Sequence, residues 1–270
     1  GKHALLLNND IVVTENWLKE MLLVLENEPK AGIVGSCLLY PDSDYVQHCG
    51  VIIGCDVNGI IAPYHIGMFT ERNKTPHAQN NTEMMAVTGA CFLIRDELIN
   101  EIGLLDDDYI NGYEDIDYCL NANTKGWKVI YCGKSVLYHF ESMSQFRHKF
   151  DVVNWQRFTR KWNDKIKPQE SKEDTKTRQL ANQNRQIEIN KSLSYNYKQV
   201  RRDVLGKSKN EMEYSIIIPV HSKVEYTTRC FRAIQATSYL HNIEIIIIDN
   251  NSDPETKKLL STLGDFATVI

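Results

Sequence analysis

Two apolar runs in this chain stop abruptly in polar clusters that contain carboxylates. Leu5-Leu6-Leu7 runs into Asn8-Asn9-Asp10, and Ile243 to Ile248 runs into Asp249-Asn250-Asn251-Ser252-Asp253. Short apolar runs of this kind read as strands buried on both faces. Such strands belong to α/β sheets, where ligands gather beyond the carboxyl ends of the strands. Helical periods alternate with the strands. Trp17, Leu18, Met21, Leu22 and Leu25 follow a 3.6-residue spacing behind Thr14, with Pro29 and Gly32 closing the segment. Ile33 to Tyr40, Val51 to Gly54 and Ala86 to Arg95 read as further strands, the last interrupted by the small residues around Gly89, a sign of close backbone approach. Gly59 to Thr82 is polar and mixed and reads as a long loop. Asp96 is the expected cap of a short helix, and Glu114 to Lys125 is expected to form another, closed by Gly126. Trp127 to Tyr131 and Ser135 to Phe140 read as two strands, Phe150 to Trp162 as a helix. Tyr214 to Val220, a helix from Thr227 to Thr237 and Ile243 to Ile248 form the front of a βαβ unit.

Between these parts, residues 163 to 212 are dominated by Lys, Glu, Gln, Asn, Asp and Ser, which reads as a solvated helix or a flexible linker. The expected organisation is therefore 1–162, a polar linker 163–212, and 213–270. The formal net charge of −4 gives no electrostatic reason to expect nucleic acid as a partner. No run approaches the roughly 18 apolar residues of a membrane span. Cys37, Cys49, Cys55, Cys91, Cys119, Cys132 and Cys230 form no CxxC pair, and several sit in strand-like runs. They read as reduced thiols, which points to a cytoplasmic compartment.

The chemistry concentrates at Gly112-Tyr113-Glu114-Asp115-Ile116-Asp117, three carboxylates in four positions at the start of a helix. The helix dipole accounts for one or two of them. A third fits a group kept for proton transfer, because mutual repulsion favours holding a proton. Asp10, after its strand, fits either an Asx turn or a hard oxygen ligand for Mg²⁺ or Mn²⁺. His139, on an apolar strand, fits a core residue or a ligand. His3, His48, His65, His77, His148, His221 and His241 show no metal-ligand spacing and read as structural or surface residues. No GxGxxG follows either strand, which disfavours a Rossmann dinucleotide site.

Several segments, in register, resemble the inverting glycosyltransferases of family 2, which have the GT-A fold. Leu5-Leu6-Leu7-Asn8-Asn9-Asp10 with Trp17-Leu18 is similar to that family's "LNNDt…WL" form of the DxD motif. Thr88-Gly89-Ala90-Cys91-Phe92-Leu93-Ile94-Arg95 resembles its "GacmliRr" strand, and Ile102-Gly103-Leu104-Leu105-Asp106 its "vGgfDe" turn. Tyr113 to Leu120 resembles "fEDvDlclR", Gly126-Trp127-Lys128-Val129 resembles "Gyrv", and Val136-Leu137-Tyr138-His139 resembles "vvyH". Ser215 to His221 and Ile245 to Asp253 resemble the opening "siiiPvyN" and "vivvDngStD" segments, which in a complete domain precede the DxD strand. This order is that of tandem polysaccharide or rhamnosyl transferases, showing the back of one domain and the front of the next. The second account is that the two halves pair within the chain or between copies.

The resemblance implies a mixed, mostly parallel sheet flanked by helices and a metal-dependent inverting transfer from a nucleotide-diphosphate-sugar to a glycan or lipid-linked glycan hydroxyl. It implies Mn²⁺ or Mg²⁺ on Asp10 and His139, Asp115 as the base and Glu114 orienting the acceptor. Asn8, Asn9, Thr88, Gly89, Ala90 and Asp117 would contact substrate. Pro219, Val220, Asp249 and Asn251 would form the nucleotide pocket. It also implies synthesis at the inner face of a membrane with peripheral association. Three departures stand out: the DxD holds a single carboxylate, His221-Ser222 replaces Tyr-Asn, and Asn121 stands where Arg is common. A metal-dependent phosphohydrolase acting on nucleotide-sugars and a non-catalytic glycan- or nucleotide-binding scaffold are the rival readings from other classes.

Overall fold

In the strands, alternate side chains leave the sheet in opposite directions, and the burial pattern follows that period of two. Leu5 and Leu7 enter one core with Val34, Leu38, Cys91 and Leu93, whereas Ile33, Cys37, Phe92 and Ile94 enter a second core on the other face. A sheet apolar on both faces must be covered on both, which explains the helices that follow. The structure, a computed structural model, describes residues 3–56, 58–140, 150–169, 214–237, 243–264 and 266–270.

The first part runs β1 (His3–Leu7), β2 (Ile11–Val13), α1 (Trp17–Asn27), β3 (Ala31–Leu39), β4 (Val46–His48), β5 (Val51–Cys55) and β6 (Ile61–His65). Two 3₁₀ turns lead to β7 (Thr82–Met84), β8 (Cys91–Ile94), α2 (Asp96–Ile102), α3 (Glu114–Thr124), β9 (Lys128–His139) and α4 (Asp151–Trp162). The second part holds β10 (Tyr214–Val220), α5 (Val224–Thr237), β11 (Ile243–Asp249), α6 (Pro254–Leu260) and β12 (Thr268–Val269). The main sheet has the order β12-β11-β10-β1-β8-β3-β9-β2, with β4 on β3 and β7 on β9, while β5 and β6 form a separate hairpin. Along the main path β12, β11, β10, β1, β3 and β9 point one way and β8 and β2 the other. The architecture is thus a mixed sheet, mostly parallel in direction, flanked by helices.

The join between the two parts is a strand pairing. β10 lies parallel to β1, from His3 opposite Tyr214 to Leu6 opposite Ile217. One core is shared across it, with Trp17 and Leu18 of α1 beside Ile216, Ile218, Cys230, Phe231 and Ile247. Of the two accounts of the chain order, pairing within the chain is the arrangement seen here. The linker expected at 163–212 lies outside the described residues from position 170 onward, as do His148 and His241.

Several local expectations are corrected. Val51–Cys55 is a strand, but Gly59 to Thr82 is no long loop: Ile61–His65 completes a hairpin with β5, and Thr82–Met84 joins β9. The mixed composition there hides strands with one wet face. Ala86 to Arg95 is strand only from Cys91, because Thr88 to Ala90 form a turn beside the end of β1. Lys128 to His139 is one strand, not two, with a register shift between Ser36 and Cys37 of β3 absorbing Gly133 to Ser135. Thr14 does not cap α1; its hydroxyl donates to the Val136 carbonyl at 2.6 Å, and Asn16, with φ of 61°, precedes the helix instead. Asp96 lies inside the first turn of α2, behind Arg95. The Arg95 guanidinium reaches across to the carbonyls of Leu25, Glu28 and Ala31 and satisfies the C-terminal end of α1. All seven cysteines are free, and all but Cys55 are buried.

Candidate active site

The registers place the exit of β1, the turn before β8 and the end of β9 together. Leu7 pairs with Cys91, and the Asn8 N–H donates to the Ala90 carbonyl at 3.0 Å, so Asn8-Asn9-Asp10 lies against Thr88-Gly89-Ala90. Ile11 pairs with His139, and the Phe140 N–H donates to the Asp10 carbonyl at 3.0 Å, which brings Asp10 to the end of β9. The result is a contact of 3.1 Å between Asp10 Oδ1 and His139 Nε2. His139 Nδ1 is in turn 2.7 Å from Gln47 Oε1.

Asp115 stands in the first turn of α3 and is fixed by two backbone donors: Gly89 N–H to Oδ2 at 2.6 Å and Ile116 N–H to Oδ1 at 2.8 Å. A Cβ on Gly89 would lie 3.1 Å from the Asp115 Cβ, so only glycine lets the turn come this close without displacement. The loop leading into α3 is unusual. Asn111, Gly112 and Tyr113 all have positive φ, at 57°, 152° and 74°. Left-handed backbone at the two non-glycine residues costs about 1 kcal/mol or more each and persists only where its surroundings impose it. Here Asn154 of α4, which is buried, grips the Ile110 backbone from both sides, accepting from its N–H at 3.2 Å and donating to its carbonyl at 2.8 Å. Tyr113 packs its ring on Phe158, and Glu114 accepts from the Gly112 N–H at 2.6 Å.

Asp117, expected to contact substrate, is placed elsewhere. It is 1% exposed and takes donors from Tyr109 (3.1 Å), Trp162 (2.7 Å), Asn121 (2.9 Å) and Lys161 (2.7 Å). Its two oxygens are committed to docking α4 on α3. Burial, and then the Asp117 charge, push the Tyr109 phenol up, which keeps it a donor.

The second part brings its loops to the same edge of the sheet. Asn9 donates to the Thr227 hydroxyl of α5 at 2.9 Å, and the Cys230 thiol faces the Asn8 carbonyl at 3.7 Å. Tyr226 and Phe140 meet as tilted rings with centroids 5.5 Å apart, and the Arg229 guanidinium lies over both rings. Beyond β10 and β11 the loops bind each other. Ser222 N–H donates to Ser252 Oγ at 2.8 Å, and Asp253 N–H to Ser222 Oγ at 2.9 Å. Asp249 accepts the Ser252 N–H at 2.9 Å, and the Ser252 hydrogen bonds, with Lys257 and His221 nearby, hold its carboxyl below the usual range. Val220 is buried, Pro219 exposed, and Asn251, with φ of 55°, is exposed beside Lys257. The structure thus gathers Asn8, Asn9, Asp10, Thr88, Gly89, Ala90, Glu114, Asp115 and His139 around one edge, and sets Pro219, Val220, Asp249 and Asn251 at the neighbouring strand exits.

Sequence reasoning missed Gln47, His48 and Asn154. His48 accepts from the Thr88 N–H at 3.4 Å and meets His65, Nδ1 to Nδ1, at 2.9 Å. Spacing could not reveal these contacts, since each joins residues far apart in the chain. Among the described residues no group of three or more His, Cys, Asp or Glu is placed to hold a metal, so Asp10 and His139 stand as a pair. Among the same residues no helix is long and apolar enough to cross a membrane.

Comparison with known proteins agrees with this geometry. Residues 1–162 match the model of a glycosyltransferase-like family 2, and residues 215–270 match that of glycosyl transferase family 2. The chain belongs to glycosyltransferase family 2. It is 33% identical over 154 residues to the uncharacterized protein y4gI of Sinorhizobium fredii (strain NBRC 101917 / NGR234), and 31% identical over 148 residues to the O-antigen biosynthesis protein RfbC of Myxococcus xanthus. Each match takes in 54% of this chain but only 16% and 11% of those relatives, so the chain is similar to a small part of each.

Proposed function

We propose that this chain carries a site for metal-dependent, inverting transfer of a sugar from a nucleotide-diphosphate-sugar to a hydroxyl of a glycan or lipid-linked glycan in polysaccharide synthesis. The observation that carries the reading is the Asp115 carboxylate, fixed by the Gly89 amide in the turn beside the Asp10 exit. In this reading Asp115 removes the acceptor proton; each of its oxygens accepts one backbone bond and keeps lone-pair capacity for another. Glu114 orients the acceptor, and the small turn Thr88-Gly89-Ala90 lets the sugar approach the backbone. The exits of β10 and β11, with Pro219, Val220, Asp249 and Asn251, hold the nucleoside. Residues 1–162 supply cation, acceptor and base contacts, and residues 213–270 supply the nucleotide side.

The donor set suits Mn²⁺ or Mg²⁺. An amide oxygen facing His139 Nδ1 leaves Nε2 as the ring nitrogen that faces Asp10, and one carboxylate and one imidazole can be completed by diphosphate oxygens and water. When bound, the cation would neutralise charge on the departing diphosphate. A cytoplasmic site at the inner face of a membrane, reached by peripheral association, belongs to the same proposal. So does a tandem arrangement in a longer protein.

Calorimetry with UDP, GDP and dTDP, with Mn²⁺ and with chelator, tests the reading. Binding that needs Mn²⁺ and disappears in Asp10→Ala is expected. Equal binding in chelator, or in Asp10→Ala, would remove the metal from the proposal. Donor hydrolysis that continues undiminished in the presence of acceptor would favour the phosphohydrolase.

A further inference from the structure

Gln47 and His48 are consecutive on β4, and a regular strand would send their side chains to opposite faces. Both nevertheless line one small pocket with Leu38, His65, Thr88 and His139. The reason lies in the register. Pairing steps from Leu39 opposite Val46 to Leu38 opposite His48, so Gln47 is the extra residue of a bulge. Bulges re-aim side chains in this way, often next to active sites.

Gln47 is 3% exposed and holds His139 twice, with Oε1 on Nδ1 at 2.7 Å and Nε2 donating to the His139 carbonyl at 3.3 Å. The second contact settles the amide's orientation, because the reversed amide would set oxygen against oxygen. An amide oxygen only accepts, so His139 Nδ1 donates to it, and Nε2 is the ring nitrogen that faces Asp10. His48 performs the matching task on the other side. Its Nε2 accepts from the Thr88 N–H, so its Nδ1 donates to His65. Thr88 precedes the glycine whose amide fixes Asp115. Burial, and then the charges of His65 and His139, hold His48 well below the usual imidazole range, which keeps it neutral and accepting.

The geometry points to Gln47 and His48 as positioning residues: Gln47 aims His139 Nε2 at Asp10, and His48 sets the Thr88–Gly89 turn against Asp115. One bulged three-residue strand thereby aligns the cation pair with the base. The cation half of this inference rests on the reading of Asp10 and His139 given above; the Nδ1 bond and the turn do not.

The experiment uses the whole chain, metal-free, with ¹⁵N-labelled imidazoles and backbone. In the parent protein His139 Nδ1 should carry a proton held in a hydrogen bond to Gln47, and the Gly89 amide proton should lie far downfield. Gln47→Met keeps the shape but removes the acceptor. It should abolish the hydrogen-bonded Nδ1 signature and weaken Mn²⁺ binding about 10- to 100-fold, while Gln47→Glu keeps that signature. His48→Leu should move the Gly89 amide upfield, and His48→Gln, which still accepts from Thr88, should hold it. An unchanged Nδ1 signature in Gln47→Met, or an unmoved Gly89 amide in both His48 variants, overturns the assignment. If the parent protein shows the held Nδ1 proton but binds no Mn²⁺, the metal reading fails and the positioning of His139 by Gln47 stands.

Discussion

Two loops with left-handed backbone face the site from opposite sides, and they are held in different ways. The loop before α3, residues 111–113, is imposed from beneath: buried Asn154 clamps Ile110, Phe158 supports Tyr113, and Asp117 anchors α4 through Lys161 and Trp162. The loops after β10 and β11, with Ser222, Lys223 and Asn251 at φ of 59°, 63° and 55°, are held by hydrogen bonds that the two loops make to each other through Ser222 and the buried Ser252. A strained loop gripped by a packed helix keeps its shape without a ligand, whereas one held by hydrogen bonds between loops is easier to open. The Asp115 side is therefore preorganised by helix packing, and the β10–β11 side by polar contacts between its own loops.

The sharpest way to break this comparison is to separate Asp115 from Asp117, two carboxylates on the same helical turn. Asp115→Asn should lower the transfer rate by about 10²- to 10⁴-fold, as loss of a general base does, with nucleotide binding kept and the urea midpoint little moved. Asp117→Ala should do the reverse. Removing a buried carboxylate strands the Trp162 and Tyr109 donors and Lys161, so chemical denaturation should show a loss of about 3 kcal/mol, while transfer survives at a temperature where the variant is folded. Equal loss of transfer in a folded Asp117→Ala protein would place that residue in the site after all.

A smaller effect is expected at Asn154. Asn154→Ala leaves a backbone N–H and a carbonyl without their clamp, costing about 2 kcal/mol by denaturation. Transfer rate should fall with little change in donor KM, because the loop that presents Asp115 is relaxed and the nucleotide side is untouched. A large rise in donor KM would show that the two sides are not independent.

The smallest effect lies on the nucleotide side. Ser252 lowers the Asp249 carboxyl, so Ser252→Ala should raise its titration toward the ordinary range, read by carboxyl ¹³C shifts. A carboxylate depressed in the folded state adds stability above its unfolded value, and that stability disappears as pH falls through the folded value. The variant should therefore lose stability on the alkaline side of that window and match the parent protein in strong acid. An unshifted Asp249 titration would mean that Lys257 and His221 dominate.

Much of the fold was legible locally. His3–Leu7, α3, α4 and the β10–α5–β11 unit follow from apolar runs, a 3.6-residue period and turn residues, because each is a property of neighbours in the chain. β4, β6 and β7 were not, since an edge strand or hairpin with one wet face carries no continuous apolar signal. Motif order marked Asp10, Glu114, Asp115 and His139, but it grouped Asp117 with Asp115, because adjacent carboxylates look alike until something packs on one of them.

The sequence alone determined that apolar strands end in polar clusters and that a helix opens with three carboxylates, since strand and helix periods are written residue by residue. The tertiary structure decided which carboxylate is sealed under α4 and which meets a glycine amide. It also decided that β10 lies beside β1, and that a bulge at Gln47 reaches His139 from 92 residues away. Those outcomes depend on register between distant segments, where a shift of a single residue would turn every side chain to the opposite face.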